Sequence, residues 1–219
     1  MSMEIKKVLA AGAFGLAAYA MSGAVSAQTI TTCDSATDSD WNCVQYQDGT
    51  STTYVNAPDN VWFGPSGDDT TSFRFEGDSV LSYSFFGADC GLIVDGQLKY
   101  NEAADTVQIR VTDAEAVAGD SLCNSIFLEE FPWTSDVIDG NPDDVHTPAG
   151  GSTTGTLNDV VISLFSSGAG TCTGDLGNVQ FRNGDPITLA SFFSFSGSVG
   201  ACSVNGDVYA EDGTDVNAY

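Results

Sequence analysis

Basic residues are almost missing from this chain. Its 219 residues hold six Lys and Arg against 30 Asp and Glu, a formal net charge of −24. A surface so poor in cations cannot neutralise phosphates, which excludes nucleic acid as a partner. Anionic membrane surfaces are disfavoured for the same reason. Histidine is scarcer still. His146, the single one, sits in Asp143-Asp144-Val145-His146-Thr147-Pro148, and no Gly-x-Ser-x-Gly element occurs anywhere. A nucleophile with its base beside it therefore has no candidate. No Cys-x-x-Cys pair occurs either, so a Cys/His zinc site lacks its usual spacing. After residue 27 no run approaches the ~20 apolar residues that span a bilayer. Helical patterning is absent too: Ala114–Ala118 is the one helix candidate, and it is too short to stand alone.

What is present begins with a three-part N-terminus. Lys6 and Lys7 precede an apolar, Ala/Gly-rich run from Val8 to Val25, closed by Val25-Ser26-Ala27. This is the pattern of a secretory signal peptide with its cleavage site. It predicts a signal at residues 1–27 and a bacterial protein acting outside the cytoplasm, secreted or periplasmic, with no membrane span after cleavage. The remaining chain holds four basic residues (Arg74, Lys99, Arg110 and Arg182) and 29 acidic ones, of which 23 are Asp. Aspartate competes with the backbone for hydrogen bonds and favours turns, so the bias predicts loops and turns. A hydrophobic fraction of 42%, with 13 Phe, seven Tyr and three Trp, excludes wholesale disorder.

Six cysteines follow the signal: Cys33, Cys43, Cys90, Cys123, Cys172 and Cys202. An even count in an exported protein reads as disulfides. Sequence does not choose among the connectivities, although proximity favours Cys33–Cys43, Cys90–Cys123 and Cys172–Cys202. Asp48-Gly49, Asp95-Gly96, Asn183-Gly184 and Asn205-Gly206 lie between apolar stretches. Such dipeptides tolerate the positive φ of tight hairpin turns. Alternation places Val107, Ile109 and Val111 on one strand face, Leu81, Tyr83 and Phe85 on another, and Ile187, Leu189, Phe193 and Phe195 on a third. The expected fold is all-β, an antiparallel sandwich or barrel built of hairpins and stabilised by disulfides. Residues 28–87 read as an N-terminal β segment, either part of the same domain or a small module, and 88–219 as the main β domain. The polar tail Glu211–Tyr219 reads as frayed.

Candidate site residues are few. Asp139, Asn141 and Asp143 space oxygen ligands at i, i+2 and i+4, like the start of an EF-hand loop. Asp144 then stands where that loop needs Gly, and Gly150 where it needs Glu. Asp34, Asp38 and Asp40 form a second acidic cluster. Calcium is thus the one metal worth testing, and no cofactor is required. Paired carboxylates for glycoside hydrolysis carry no signal, because acids are so abundant that some pair falls at any separation. Trp41, Trp62, Phe63 and Trp133 lie near turn residues. They read as caps on the core, with stacking on a ligand as the rival reading.

One stretch carries a resemblance. Cys90 precedes a short apolar segment; Cys123-Asn-Ser-Ile-Phe-Leu-Glu-Glu-Phe-Pro132-Trp133-Thr134 follows; Gly170-Thr-Cys172-Thr-Gly174 and Gly200-Ala-Cys202-Ser-Val-Asn-Gly206 come last. From about Ala88 to Tyr209 the chain resembles the PraB-like family of protein activators of alkane oxidation. The Cys…Pro132-Trp133-Thr134 element is its most specific part. The resemblance implies a small secreted β protein without catalytic residues that helps cells contact, emulsify or take up a hydrophobic substrate. The alternative is an adhesive or structural protein whose partner is the cell surface or biofilm matrix, assembled through strand edges or Ca²⁺. A hydrolase ranks last. The oligomeric state is left open.

Overall fold

The computed structural model describes residues 28–30, 43–56, 59–101, 104, 106–139, 152–165, 170–185 and 188–218. Three strands open the chain: β1 (Gln28–Ile30), β2 (Val44–Asp48) and β3 (Ser51–Asn56). Three long ones follow, β4 (Phe73–Tyr83), β5 (Phe86–Asn101) and β6 (Thr106–Gly119). A single 3-10 turn at Cys123–Ser125 leads into the short strands β7 (Ile126–Glu129), β8 (Trp133–Ser135) and β9 (Ile138–Asp139). The last five are β10 (Ser152–Leu164), β11 (Gly170–Arg182), β12 (Phe192–Val199), β13 (Cys202–Ala210) and β14 (Thr214–Ala218).

Hydrogen bonding runs β11-β12-β13-β4-β5-β6-β8-β10, and β10 pairs back onto β11. The result is an eight-stranded antiparallel barrel, which resolves the sandwich-or-barrel expectation. Closure removes the sheet edges that would otherwise invite pairing with another chain. One stave is composite. Thr134 of β8 pairs with Arg110 on one side and Asn158 on the other. β7 runs along Val161–Leu164 and β9 along Thr106–Val107, so the two extend that stave toward opposite ends.

Alternation gives the wall its two faces. Phe75, Leu81, Ala88, Cys90, Val111, Ile162, Val204 and Val208 are buried, while Arg74, Asp89, Asp113, Asp175, Asn205 and Asp207 are exposed between them. Polar-out and apolar-in is the inverse of a membrane barrel, whose lipid face is apolar. Among the described residues no helix is long and apolar enough to cross a membrane.

The two barrel ends differ. At one end a four-stranded sheet, β1-β3-β2-β14, packs Val44, Val55, Val216 and Ala218 with Phe63, Phe73, Tyr100 and Phe181. The tail expected to fray is therefore a buried strand. It is fastened by Asn183, whose amide donates to the Ala218 carbonyl at 2.8 Å and whose side-chain oxygen accepts the Ala218 N–H at 2.9 Å. Among the described residues no such sheet lies across the other end, and two disulfides sit there. Cys90 is bonded to Cys123 and Cys172 to Cys202, as proximity favoured. Cys43 is also disulfide-bonded, and Cys33 lies outside the described residues.

Several local expectations need correction. Asp48-Gly49 does mark a tight hairpin, with Asp48 paired to Ser51. Asp95-Gly96 lies inside β5, opposite a bulge in β6, and Asn205-Gly206 lies inside β13. Asn183-Gly184 opens a connection that runs to Phe192 rather than a two-residue turn. Tight turns occur instead at Ser84-Phe85, where Tyr83 pairs with Phe86, and at Gly200-Ala201, where Val199 pairs with Cys202. Ala114–Ala118 is strand, within β6. Leu189 is exposed in the loop before β12 while Phe193 packs inward, and Ile187 lies outside the described residues.

Candidate functional site

The Pro132-Trp133-Thr134 element builds part of the barrel wall. Phe131–Pro132 is a cis peptide, and Pro132 is exposed. Trp133 turns inward and is buried, its indole N–H donating to the Glu129 carbonyl at 2.9 Å. Phe131 stacks against it with ring centres 4.5 Å apart. Thr134 bridges β6 and β10. The motif therefore seats an aromatic ring in the lumen and closes the composite stave. Phe63 is also core, fully buried.

Trp62 is different. Lys99 Nζ lies 4.6 Å and Arg110 Cζ 4.7 Å from its ring centre. The Arg110 guanidinium also donates twice to Gln97 Oε1, and Gln97 in turn donates to the Asp69 and Thr71 carbonyls. Burial holds the Arg110 pKa below its usual value, with the Asp69 charge opposing. Arg74 pairs with Asp95 at 2.8 Å. Arg74, Lys99 and Arg110, three of the four basic residues after residue 27, thus make intramolecular contacts.

Among the described residues the disulfide end gathers four of the seven exposed large apolar side chains; Val137, Leu189 and Tyr209 lie toward the other end. Phe85, at the tip of the β4–β5 turn, is 100% exposed. Phe165 follows β10; its N–H donates to the Ser125 carbonyl at 2.7 Å and its ring meets Phe86 edge-on at 5.5 Å. Leu122 lies one turn earlier, since the Ser125 N–H donates to its carbonyl. Phe127, on β7 opposite Ser163, adds a further exposed ring beside this end. Residues 85 and 165 are far in sequence from each other and from the neighbours 122 and 127, and the barrel brings all four to one end. Alternation had placed Phe85 inward with Leu81 and Tyr83. The adjacent Phe86 was the available warning: two consecutive Phe cannot share one face of a strand, and Phe86 is the buried one.

Inside the barrel lies a cavity of about 150 Å³ with an almost wholly apolar wall. Its lining runs from Leu81, Cys90 and Val199 near the disulfides to Ile109 and Phe193 near the small sheet. A second void of about 40 Å³ lies beyond, and Gly96, Ile109 and Phe193 line both.

The calcium candidates are not brought together within the described residues. Asn141 and Asp143 lie outside them, as do Asp34, Asp38, Asp40, Trp41 and His146, and Asp139 is placed only by its backbone, paired with Thr106. Among the described residues no group of three or more His, Cys, Asp or Glu is arranged to hold a metal ion.

Fold and site together define a disulfide-bonded β-barrel with a polar outer wall, an apolar lumen and a cluster of exposed aromatic rings at its disulfide end. A family model described as alkane oxidation protein activator PraA/PraB-like matches residues 61–218. The chain belongs to that family. The match begins well before Ala88, so it takes in β4 and all the barrel strands, and it ends with β14. Searches of curated proteins and of solved structures return no match.

Proposed function

We propose that the chain is an exported, non-catalytic accessory protein of alkane oxidation, whose disulfide-bearing barrel end adsorbs to hydrocarbon and brings the substrate to the cell. The observation that carries this reading is Phe85, a phenyl ring wholly in water at the tip of the β4–β5 turn, with Leu122, Phe127 and Phe165 at the same end. Exposed apolar patches on a soluble protein mark contact surfaces. The acidic wall supports the same reading, because like charge keeps coated droplets apart. The family's description as an activator favours a helper role over catalysis and does not favour the adhesive alternative.

The test is the hexadecane–water interfacial tension measured with purified protein lacking residues 1–27. The wild type is expected to lower it, and Phe85→Ser to lose much of that effect. Phe85 makes no buried contact, so the variant should keep wild-type stability within about 0.5 kcal/mol. A wild-type protein that leaves the tension unchanged overturns the reading. So does an unaltered growth lag on hexadecane in a strain lacking the gene.

A further inference from the structure

A barrel of eight strands is either filled by its own side chains or leaves room for one small ligand, and here the lumen is hollow. Leu92, Val94, Ala114, Ala116, Val179 and Phe195 all face it, yet each retains accessible surface. The local cause is a change of phase in β6. Asp113 pairs with Asp95 but Val111 pairs with Gly96, so one extra residue is bulged out. The bulge hands the inward positions from Val107, Ile109 and Val111 to Ala114 and Ala116. Two small side chains then face the lumen where branched ones would have filled it.

We propose that this lumen is a binding site for an unsubstituted hydrocarbon chain. The wall decides the chemistry. Among the described residues no ionisable side chain and no side-chain amide lines the cavity. Three of its four polar side chains are engaged: the Ser135 hydroxyl donates to the Asp136 carbonyl and accepts from the Ile109 N–H, Ser79 donates to the Cys90 carbonyl, and Trp133 donates to the Glu129 carbonyl; Thr156 is the fourth. A carboxylate headgroup would lose its water and gain at most the Thr156 hydroxyl, which costs more than burying its chain returns. Cavities of about this size with such linings stay dry and admit small apolar guests. The second void beyond Phe193 continues the same space toward the small sheet, so the site extends along the axis and suits a linear guest better than a compact one.

This inference rests on the lumen and not on the exposed end, and the two fail separately. The probe is n-hexane, added to the purified full chain after signal removal, with hexanoate as the headgroup control. Methyl NMR is expected to show shifts at Leu92, Val94, Val160 and Ile162, and the thermal midpoint should rise as the apolar guest saturates the site. Hexanoate should produce neither. Ala116→Phe, which fills the cavity, should abolish the hexane shifts while leaving adsorption to hexadecane intact. Should that variant not fold, the contrast between hexane and hexanoate on the wild type still decides. Shifts confined to exposed residues such as Leu122 and Leu189 overturn the proposal. Equal lumen shifts with hexanoate, or hexane shifts retained in a folded Ala116→Phe, overturn it as well.

Discussion

The Tyr100 ring is buried beneath the small sheet, and its hydroxyl faces the Cys43 carbonyl at 3.4 Å. Burial disfavours the phenolate and pushes the Tyr100 pKa well above its ordinary value of about 10. The unfolded chain therefore ionises first as pH rises. The stability that Tyr100 contributes is complete below about pH 10 and is lost progressively above it. Tyr100→Phe keeps the ring and removes the ionisation. Denaturant unfolding is expected to place it within about 1 kcal/mol of wild type at pH 7 and to show a weaker fall in stability above pH 10. An identical alkaline limb would mean that the ring meets water before the barrel opens. Glycine supplies a second residue-level contrast. A Cβ on Gly206 would sit 2.4 Å from the Asp78 carbonyl oxygen, whereas one on Gly87 meets nothing within 4 Å. Gly206→Ala must part β13 from β4 and should cost on the order of 3 kcal/mol or more in chemical denaturation. Gly87→Ala should be neutral or slightly stabilising, since it only stiffens the unfolded chain.

At the scale of elements, β14 decides whether the small sheet stays closed. Asp215 accepts the Ser191 and Val216 N–H groups and the Asn217 amide, and Asn183 clasps Ala218. Asn183→Ala leaves two buried backbone groups of β14 without partners and is expected to destabilise by about 2–4 kcal/mol. Hydrogen exchange should show β14 and β2 losing protection before the barrel strands; uniform loss would sink the idea that this clasp is local. The same elements show what was legible in advance. Period-two alternation located the faces of β6 correctly through Val111, because half-buried strands write that pattern directly. Asp95-Gly96 and Asn205-Gly206 misled because glycine has two uses. It permits positive φ, and it permits close backbone approach. Here the second applies: a Cβ on Gly96 would stand 3.2 Å from the Arg110 carbonyl oxygen. The real turn at Ser84-Phe85 holds Ser84 at φ 54° without any glycine, so its composition gave no warning. Trp133 was legible because a local motif positions it. The lumen was not, since it depends on a one-residue bulge that composition does not announce.

Across the whole molecule, the two ends of the barrel are fastened by different means. The small sheet covers one end with packed apolar side chains. At the other, Cys172–Cys202 ties β11 to β13 across β12, and Cys90–Cys123 ties β5 to the turn that follows β6. Each bond spans a strand that carries no cysteine link of its own, so together they brace the ring at the end opposite the small sheet. The bonds close loops of similar size, with sequence separations of 30 and 33. The chain-entropy model then assigns each about 3–4 kcal/mol, acting through the unfolded state. Replacing Cys172 and Cys202 together by Ser should lower the thermal midpoint by about 10 °C for a chain of this length. The position of the loss is more informative than its size. Because the clasp on β14 is untouched, exchange should quicken first around Val199 and Cys202 while the amides of β14 keep their protection. Simultaneous loss at both ends would show that the barrel melts as one cooperative unit, and that its two fastenings do not act independently.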